Sequence, residues 1–243
     1  MPRNIDLIVS DFLEDMRVDN NPPLDVFLLA RRMGVDTFTE ADMMEDGRLD
    51  HDYGRIVISV RPGLSLGRKR FTIAHELAHL LLMNPASSAT TYRSITARGD
   101  EERFCDEIAA ALLLPNTWIR HRYENRLKNL STLRHLAHDT QTSLSASVVR
   151  LNELHGWRCS LLRWRQYTGG WRLAGMAGMP QSRNSLVQSA ADTDAALSQI
   201  ARRGTRDQLV SIPLLIDGCH LKVSGQVSVT GSSAIALIEN ANL

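Results

Sequence analysis

Cysteine is scarce in this sequence, and its spacing does not resemble a disulfide framework. Only Cys105, Cys159 and Cys219 occur in 243 residues, an odd number scattered along the chain. Small secreted domains that depend on disulfides carry even numbers of cysteines at short spacings. We therefore expect reduced thiols and a cytoplasmic protein.

The sequence also has no excess of one charge and no long apolar run. Its 28 Lys and Arg residues nearly cancel its 27 Asp and Glu residues, so the overall charge does not indicate nucleic acid or a membrane as partner. No segment approaches the ~20 apolar residues that cross a bilayer, and no signal peptide is recognisable. Internal repeats and low-complexity tracts are absent. These features favour one large globular domain or two small ones, without a membrane partner.

Residues 70–83 combine a helical apolar pattern with three side chains that can carry chemistry. Glycine and proline are absent from this segment. On a helix, His75 and His79 project from the same face, and neutral imidazole is a preferred zinc ligand. Glu76 would lie beside the metal, where it can take a proton from a zinc-bound water and return it to a leaving amine. This His-Glu-x-x-His spacing is typical of metalloproteases.

A purely structural helix is the alternative interpretation of this segment. Its flanking residues are almost wholly apolar, which predicts that the helix is buried. Two histidines and a glutamate would be costly to bury there without partners. We therefore favour a metal site.

A second helix, predicted from Asp100 to Pro115, offers the third protein ligand that such a zinc site needs. Glu102 and Asp106 are four residues apart and share a helix face. This suits Glu102 as a ligand and Asp106 as the acceptor of the free N–H of a metal-bound histidine. Glu101 is the rival ligand. The alternative to both is a solvated acidic helix start, which the helix dipole favours.

These two segments together resemble the ImmA/IrrE family of metallopeptidases. The resemblance is carried by residues 68–82, Arg-x-Arg-Phe-Thr-Ile-Ala-His-Glu-Leu-Ala-His-Leu-Leu-Leu, and by residues 102–115, Glu-x-x-Cys-Asp-x-Ile-Ala-Ala-x-Leu-Leu-Leu-Pro. It implies an α+β, zincin-like N-terminal domain similar to thermolysin, with zinc, or manganese in its place, on His75, His79 and Glu102. The family usually has a small residue and Asn where this chain has Cys105 and Asp106. It also has Phe in place of Ile108, and often a further His in place of Met83.

The first 60 residues are predicted to form two amphipathic helices, at 5–16 and 24–33, and two strands, at 35–39 and 56–60. The second strand directly precedes the histidine helix. It could line the cleft and pair with an extended substrate, or it could be an ordinary core strand. Four residues are candidates for stabilising the oxyanion, and nothing in the sequence selects among them. They are Tyr92, His51, Tyr53 and His121.

Residues 131–154 have the pattern of a helix-turn-helix. Seven Lys and Arg against two Asp and Glu between residues 126 and 165 would permit phosphate contacts. The predicted recognition helix offers only Arg150, Asn152 and small hydroxyls for reading bases, so nucleic acid is weakly supported as a partner. In relatives these helices can simply buttress the protease.

Strand patterns dominate from Trp157 onward, with a hairpin at 158–177 and a helix at 190–203. This small α+β module weakly resembles the sensor-like C-terminal domain of the IrrE branch. The predicted domains are therefore the zincin-like metallopeptidase at 1–125, a helix-turn-helix-like segment at 126–156 and the sensor-like domain at 157–243.

The predicted function is that of a zinc-dependent endopeptidase with Glu76 as general base and acid. The resemblance implies limited cleavage of a cytoplasmic helix-turn-helix repressor as its protein substrate. Three alternatives remain: a DNA-binding regulator with a vestigial protease domain, a metal-dependent scaffold that sequesters a partner, and an antitoxin-like component. The intact set of His75, Glu76, His79 and Glu102 argues against a vestigial domain.

Overall fold

Helices and strands are mixed along the whole chain, which confirms the predicted α+β class. The computed structural model describes residues 5–83, 98–178, 187–190, 192–204 and 206–239. The described helices are α1 (Ile5–Asp15), α2 (Val26–Arg32), α3 (Leu66–Met83), α4 (Arg98–Leu113), α5 (Asn116–Tyr123), α6 (Leu130–Thr140), α7 (Leu144–His155) and α8 (Thr193–Arg203). The described strands are β1 (Val35–Glu40), β2 (Gly47–Asp52), β3 (Arg55–Val60), β4 (Cys159–Tyr167), β5 (Gly170–Ala177), β6 (Val187–Ser189), β7 (Gln208–Ile216), β8 (Cys219–Thr230) and β9 (Ser233–Glu239).

The N-terminal sheet has the strand order β1-β3-β2, with β3 parallel to β1 and antiparallel to β2. Because β3 is paired on both edges, it cannot also pair with a substrate. Of the two interpretations that the sequence left open, substrate pairing is therefore wrong and the ordinary core strand is correct. Its apolar sequence reflects a central position instead, with Ile58 and Val60 buried. The two edges of the sheet are β1 and β2, and β2 is a strand that the sequence did not predict.

A tight hairpin joins β2 to β3 through Tyr53 and Gly54. Both residues have positive φ angles, 47° and 78°. A two-residue turn with both central residues left-handed matches the twist of the flanking strands, and glycine adopts this conformation at no steric cost. The turn fixes the register that opposes Leu49 to Ile58.

The helices α3 and α4 pack against each other and supply much of the first apolar core. Leu77 and Ile73 on α3, together with Phe104 and Ile108 on α4, are at most 1% exposed. Both helices begin earlier than predicted: α3 at Leu66, and α4 two residues before Asp100. The apolar residues of both helices pack in the core, and the histidine face of α3 therefore lies next to the acidic face of α4.

The C-terminal strands form a six-stranded antiparallel sheet in the order β5-β4-β9-β8-β7-β6. One face packs on α8, where Leu197 and Ile200 join Trp164 and Trp171 in a second apolar core. The short strand β6 was not predicted. The predicted hairpin is present as β4 and β5, which pair in antiparallel register.

Packing divides the chain into two compact units. The first comprises residues 1–124 and 137–143, and the second comprises residues 125–136 and 144–243. The two predicted helices of the helix-turn-helix-like segment are α6 and α7, joined by residues 141–143. The domain boundaries expected at 125 and 156 remain a prediction. Within the described ranges, no helix combines the length and apolar character needed to cross a membrane.

Candidate metal centre

The histidine face of α3 brings two imidazole nitrogens close together. His75 and His79 are one helical turn apart, and their Nε2 atoms are separated by 3.2 Å. Each histidine side chain is only 17% exposed. Two nitrogen lone pairs at this distance repel one another unless a proton or a cation lies between them. The pair is therefore suited to a cation.

Glu102 on α4 completes a group of three ligand atoms. Its carboxylate oxygens lie 3.2 Å from His75 Nε2 and 3.5 Å from His79 Nε2. All three ligand atoms lie within 4.8 Å of one another. Tetrahedral zinc with bonds of about 2.0–2.2 Å requires ligand atoms roughly 3.3–3.6 Å apart. Among the described residues, the His75, His79 and Glu102 side chains thus have the chemistry and spacing of a three-ligand zinc site.

Asp106, one turn beyond Glu102, fixes the orientation of the first histidine. With its proton on Nδ1, His75 donates a hydrogen bond of 2.9 Å to Asp106 Oδ1. This tautomer leaves the Nε2 lone pair directed at the centre of the group. Burial acts to lower the pKa of His75, but the hydrogen bond with Asp106 and the nearby carboxylates outweigh it, so the pKa is raised. A metal ion binding here at low pH would therefore have to displace a proton from His75.

The Nδ1 atom of His79, which is not part of the ligand group, lies near two other side chains. His79 Nδ1 lies 3.5 Å from Cys105 Sγ and 3.8 Å from Glu101 Oε1. Glu101 thus lies beside His79 Nδ1, which faces away from the ligand group, whereas the Glu102 carboxylate belongs to the ligand group. Cys105 is fully buried, and burial raises the pKa of its thiol above the usual range, so it stays protonated. Its contact with His79 was not predicted from the sequence.

Glu76 is buried against the edge strand β2, with 7% of the residue exposed. Burial raises the pKa of its carboxyl group above the ordinary value; His75 opposes this change, while Glu102 and Asp50 add to it. The backbone N–H of Leu49 donates a hydrogen bond to the carboxylate and partly compensates. A carboxylate with a raised pKa next to metal ligands is suited to accepting and returning a proton.

Gly47 on β2 permits the close approach of this strand to α3. A Cβ atom at this position would lie 2.2 Å from Thr72 Cγ2 and 3.1 Å from Glu76 Oε1. The first distance is a clash and the second is crowded. Neither Gly47 nor Leu49 was identified from the sequence, although a glycine at the start of a polar stretch was the available signal.

Asp46 ties the beginning of β2 to α3. Its carboxylate accepts hydrogen bonds from Arg61, at 3.1 Å from Nε to Oδ1, and from Arg68 at the start of α3. The hydrogen bonds from these two arginines lower the pKa of Asp46 below its usual value. The carboxylate therefore stays charged and keeps the strand in place beside the helix.

The four candidates for oxyanion stabilisation lie in different places. His51 is on β2, two residues beyond Leu49, and Tyr53 is fully exposed in the following turn. His121 is on α5, where it lines a groove with Trp118. Tyr92 lies outside the described residues. The described candidates therefore remain without an assigned role.

The residues proposed for base recognition have structural roles in the second unit. Arg150 is 6% exposed. Asn152 donates hydrogen bonds to the carbonyl oxygens of Cys159 and Gly178, at 2.7 and 2.9 Å, and accepts one from the Cys159 N–H at 3.0 Å. With both polar side chains engaged internally, α7 has little left with which to read bases.

Comparison with known proteins adds a family match. The Peptidase_M78 model, described as an IrrE N-terminal-like domain, matches residues 30–152, slightly more than half of the chain. This match includes all five residues of the site and confirms the resemblance found in the sequence. No curated protein matches. Among solved structures, a Mycobacterium tuberculosis transcriptional regulator is similar, with 14% identity and a TM-score of 0.49 over 96% of this chain and 74% of that chain.

Proposed function

The chain belongs to the Peptidase_M78 family of IrrE N-terminal-like domains, and from this premise we propose that it is a zinc-dependent endopeptidase. Its proposed reaction is limited, site-specific cleavage of a cytoplasmic regulatory protein. The observation that carries the proposal is the close grouping of His75 Nε2, His79 Nε2 and the Glu102 carboxylate. Two histidines and one carboxylate are the protein ligands of a hydrolytic zinc site with an open fourth position.

The proposed metal is zinc, with manganese as the alternative, held by His75, His79 and Glu102. When bound, it would act as a Lewis acid that activates water and polarises the substrate carbonyl. Glu102 is exposed over 70% of its side chain. The group therefore opens to solvent on the side of α4, where a water molecule and a substrate can enter.

Glu76 is the proposed general base and acid. Its carboxylate is kept out of water on the β2 side, and the Leu49 N–H holds it in orientation. A deprotonated Glu76 would take the proton of the attacking water and then deliver it to the leaving amine. Asp106 acts through His75, whose Nδ1–H it accepts at 2.9 Å.

The edge strand β2 is the proposed docking site for the substrate backbone. Among the described residues, β2 pairs with β3 alone, so its outer edge has no strand partner. An extended peptide can add to such an edge through main-chain hydrogen bonds. The same strand contacts the catalytic Glu76, so a peptide bound there would lie beside the proton acceptor.

A helix-turn-helix repressor is the proposed substrate, as the family resemblance implies. A zinc site of this composition accepts many peptides, so selectivity must come from groups outside it. The second unit, with its six-stranded sheet, is not required for the hydrolytic chemistry and is available for recognition or control. Such a layout fits a regulated protease with few targets.

The test is to incubate the full chain, loaded with zinc or manganese, with helix-turn-helix repressors encoded near its gene. Intact-mass spectrometry should show two complementary fragments from one cut. Chelation should abolish the fragments, and Glu76→Gln should abolish them while retaining the metal.

Three other outcomes of this experiment would contradict the proposed substrate, the proposed selectivity or the proposed hydrolysis. Absence of any metal-dependent fragment would overturn the substrate assignment, and degradation of unfolded casein instead would indicate a housekeeping peptidase. Metal-dependent capture of a repressor without cleavage would indicate a sequestering scaffold.

A further inference from the structure

The basic residues between 126 and 165 do not form one surface along the helix-turn-helix-like segment. Three of the seven are engaged internally: Arg134 binds Asp207 at 2.6 Å, Lys128 donates to two backbone carbonyls, and Arg150 is buried. Two others, Arg163 and Arg165, lie on β4 in the C-terminal sheet. The remaining two, Arg126 and Arg158, are exposed and lie outside the helices and strands. The exposed positive charge of this segment is therefore located on the sheet and in loops rather than on the recognition helix.

A third arginine from the neighbouring strand joins this pair. Arg172 on β5 lies directly opposite Arg165 in the antiparallel register. Both side chains are exposed, so two like charges face each other across the strands. Such pairs are destabilising in a sheet unless something compensates them. We call Arg163, Arg165, Arg172 and the adjacent Tyr167 the arginine face.

No carboxylate is available from the cross-strand neighbours to compensate these charges. Arg163 is flanked by Gly175 on β5 and by Ile235 on β9, and Ser233 is the β9 neighbour of Arg165. Arg163 lies across Gly175, where an added Cβ would be 2.7 Å from its guanidinium nitrogen. Glycine at this position thus lets the guanidinium lie flat against the sheet.

The arginine face is the side of the sheet opposite α8. Arg163 and Arg165 alternate along β4 with Leu162 and Trp164, which belong to the core under α8. Tyr167 follows at the same two-residue interval and is 53% exposed. The guanidinium of Arg172 lies 5.7 Å from its ring centre. The result is a row of cationic and aromatic groups about 13 Å long on one sheet face.

We propose that the arginine face binds single-stranded nucleic acid. Guanidinium groups form paired hydrogen bonds with phosphate oxygens, and an exposed aromatic ring stacks on an unpaired base. A sheet face presents these groups to an extended strand, whereas the helix α7 offers little for reading duplex bases. The charge of the phosphates would also relieve the repulsion between Arg165 and Arg172. This inference does not depend on the peptidase activity.

Fluorescence anisotropy of a labelled oligothymidylate with the full chain tests the proposal. The double variant Arg165→Gln/Arg172→Gln should bind at least about tenfold more weakly, and its slope of log affinity against log salt should flatten by about 1.4. Tyr167→Ala should lower affinity roughly fivefold or more without changing that slope. The matched control, Arg202→Gln/Arg203→Gln on α8, removes the same charge from the other side of the sheet and should bind as the unmodified protein does.

Thermal unfolding of both double variants serves as the folding check, and removal of the opposed arginines should not lower the melting temperature. Unchanged binding by Arg165→Gln/Arg172→Gln, or an equal loss in the α8 control, would overturn the proposal. Tighter binding of a polyglutamate peptide than of the oligonucleotide would overturn it in favour of an acidic protein partner.

Discussion

At the scale of single residues, Glu76 is the proposed catalytic residue, and the burial of its carboxyl group also destabilises the folded protein. Its pKa is raised in the folded, metal-free protein, chiefly by burial. The folded state therefore holds a proton at Glu76 more readily than the unfolded chain does. As pH rises from the unfolded pKa through the folded pKa, the free energy of unfolding falls, and above this interval the penalty is complete.

Glu76→Gln should therefore stabilise the metal-free protein at neutral pH while reducing catalysis roughly 100- to 10,000-fold. The amide removes the buried charge but keeps the shape of the side chain. Thermal unfolding in chelator from about pH 4 to pH 8 should show a difference from the unmodified protein that grows with pH and then levels off. The exposed Glu14→Gln is the control. A stability difference that is independent of pH would contradict the buried-charge explanation.

The two adjacent glutamates of α4 should differ in their effect on metal content. Glu102→Ala should lose bound zinc, because its carboxylate lies 3.2 Å from His75 Nε2 and 3.5 Å from His79 Nε2. Glu101→Ala should retain zinc, since its carboxylate lies beside the other nitrogen of His79. Asp106→Ala should weaken metal affinity or activity by about 10- to 100-fold. Zinc per chain measured by elemental analysis checks all three, and the reverse order for the glutamates would refute the ligand assignment.

At the scale of elements, β2 is the strand that positions Glu76, the proposed catalytic residue, and its sequence does not indicate a strand. Its side chains are mostly polar because the strand lies at the sheet edge, so the alternation that marks a strand is weak. The strand β3 was predicted well because it is apolar and central. Whether β2 or β3 lies next to α3 depends on the order of the strands in the sheet. Strand order is a tertiary property that the local sequence pattern does not determine.

Gly47→Ala tests whether the close approach of β2 to α3 is required. The new methyl group would clash with Thr72 Cγ2, and overpacking of this kind costs about 1–3 kcal/mol. Activity should fall as well, because Glu76 would be displaced. Thr72→Ser removes the clashing methyl group, so the double variant should recover most of the stability. Denaturant unfolding of the unmodified protein, the two single variants and the double variant measures the coupling between the two substitutions. Purely additive changes in the free energy of unfolding would show that the contact between position 47 and Thr72 does not limit the approach of β2 to α3.

The candidate site was more predictable than the fold around it. His75, His79, Glu102 and Asp106 follow from i, i+4 spacing on two helices, and helix geometry alone places each pair on one face. That the faces of α3 and α4 meet is a tertiary fact, expected here from the family resemblance. The contact of Cys105 with His79 was not predicted, because it depends on how the two helices pack against each other.

At the scale of the whole molecule, the residues of the proposed peptidase site belong to the first unit, and the arginine face belongs to the second. The helix-turn-helix pattern was recognisable from the sequence, but its function was not, because the same spacing serves packing equally well. Asn152 illustrates this, since its side chain joins Cys159 and Gly178 within the second unit. Charge counted along the sequence also did not reveal which arginines would share a surface.

The central claim is that a metal held by His75, His79 and Glu102 works with Glu76 to hydrolyse a peptide bond. Its most direct test is the cleavage rate measured on the same samples as the bound zinc per chain, during titration of the metal-free protein with zinc. We predict that the cleavage rate rises linearly with bound zinc up to one equivalent per chain. His75→Ala and His79→Ala should bind no zinc and show no cleavage. Glu76→Gln should bind one zinc per chain and show no cleavage. Full turnover by metal-free protein, or by the zinc-loaded Glu76→Gln variant, would contradict this claim.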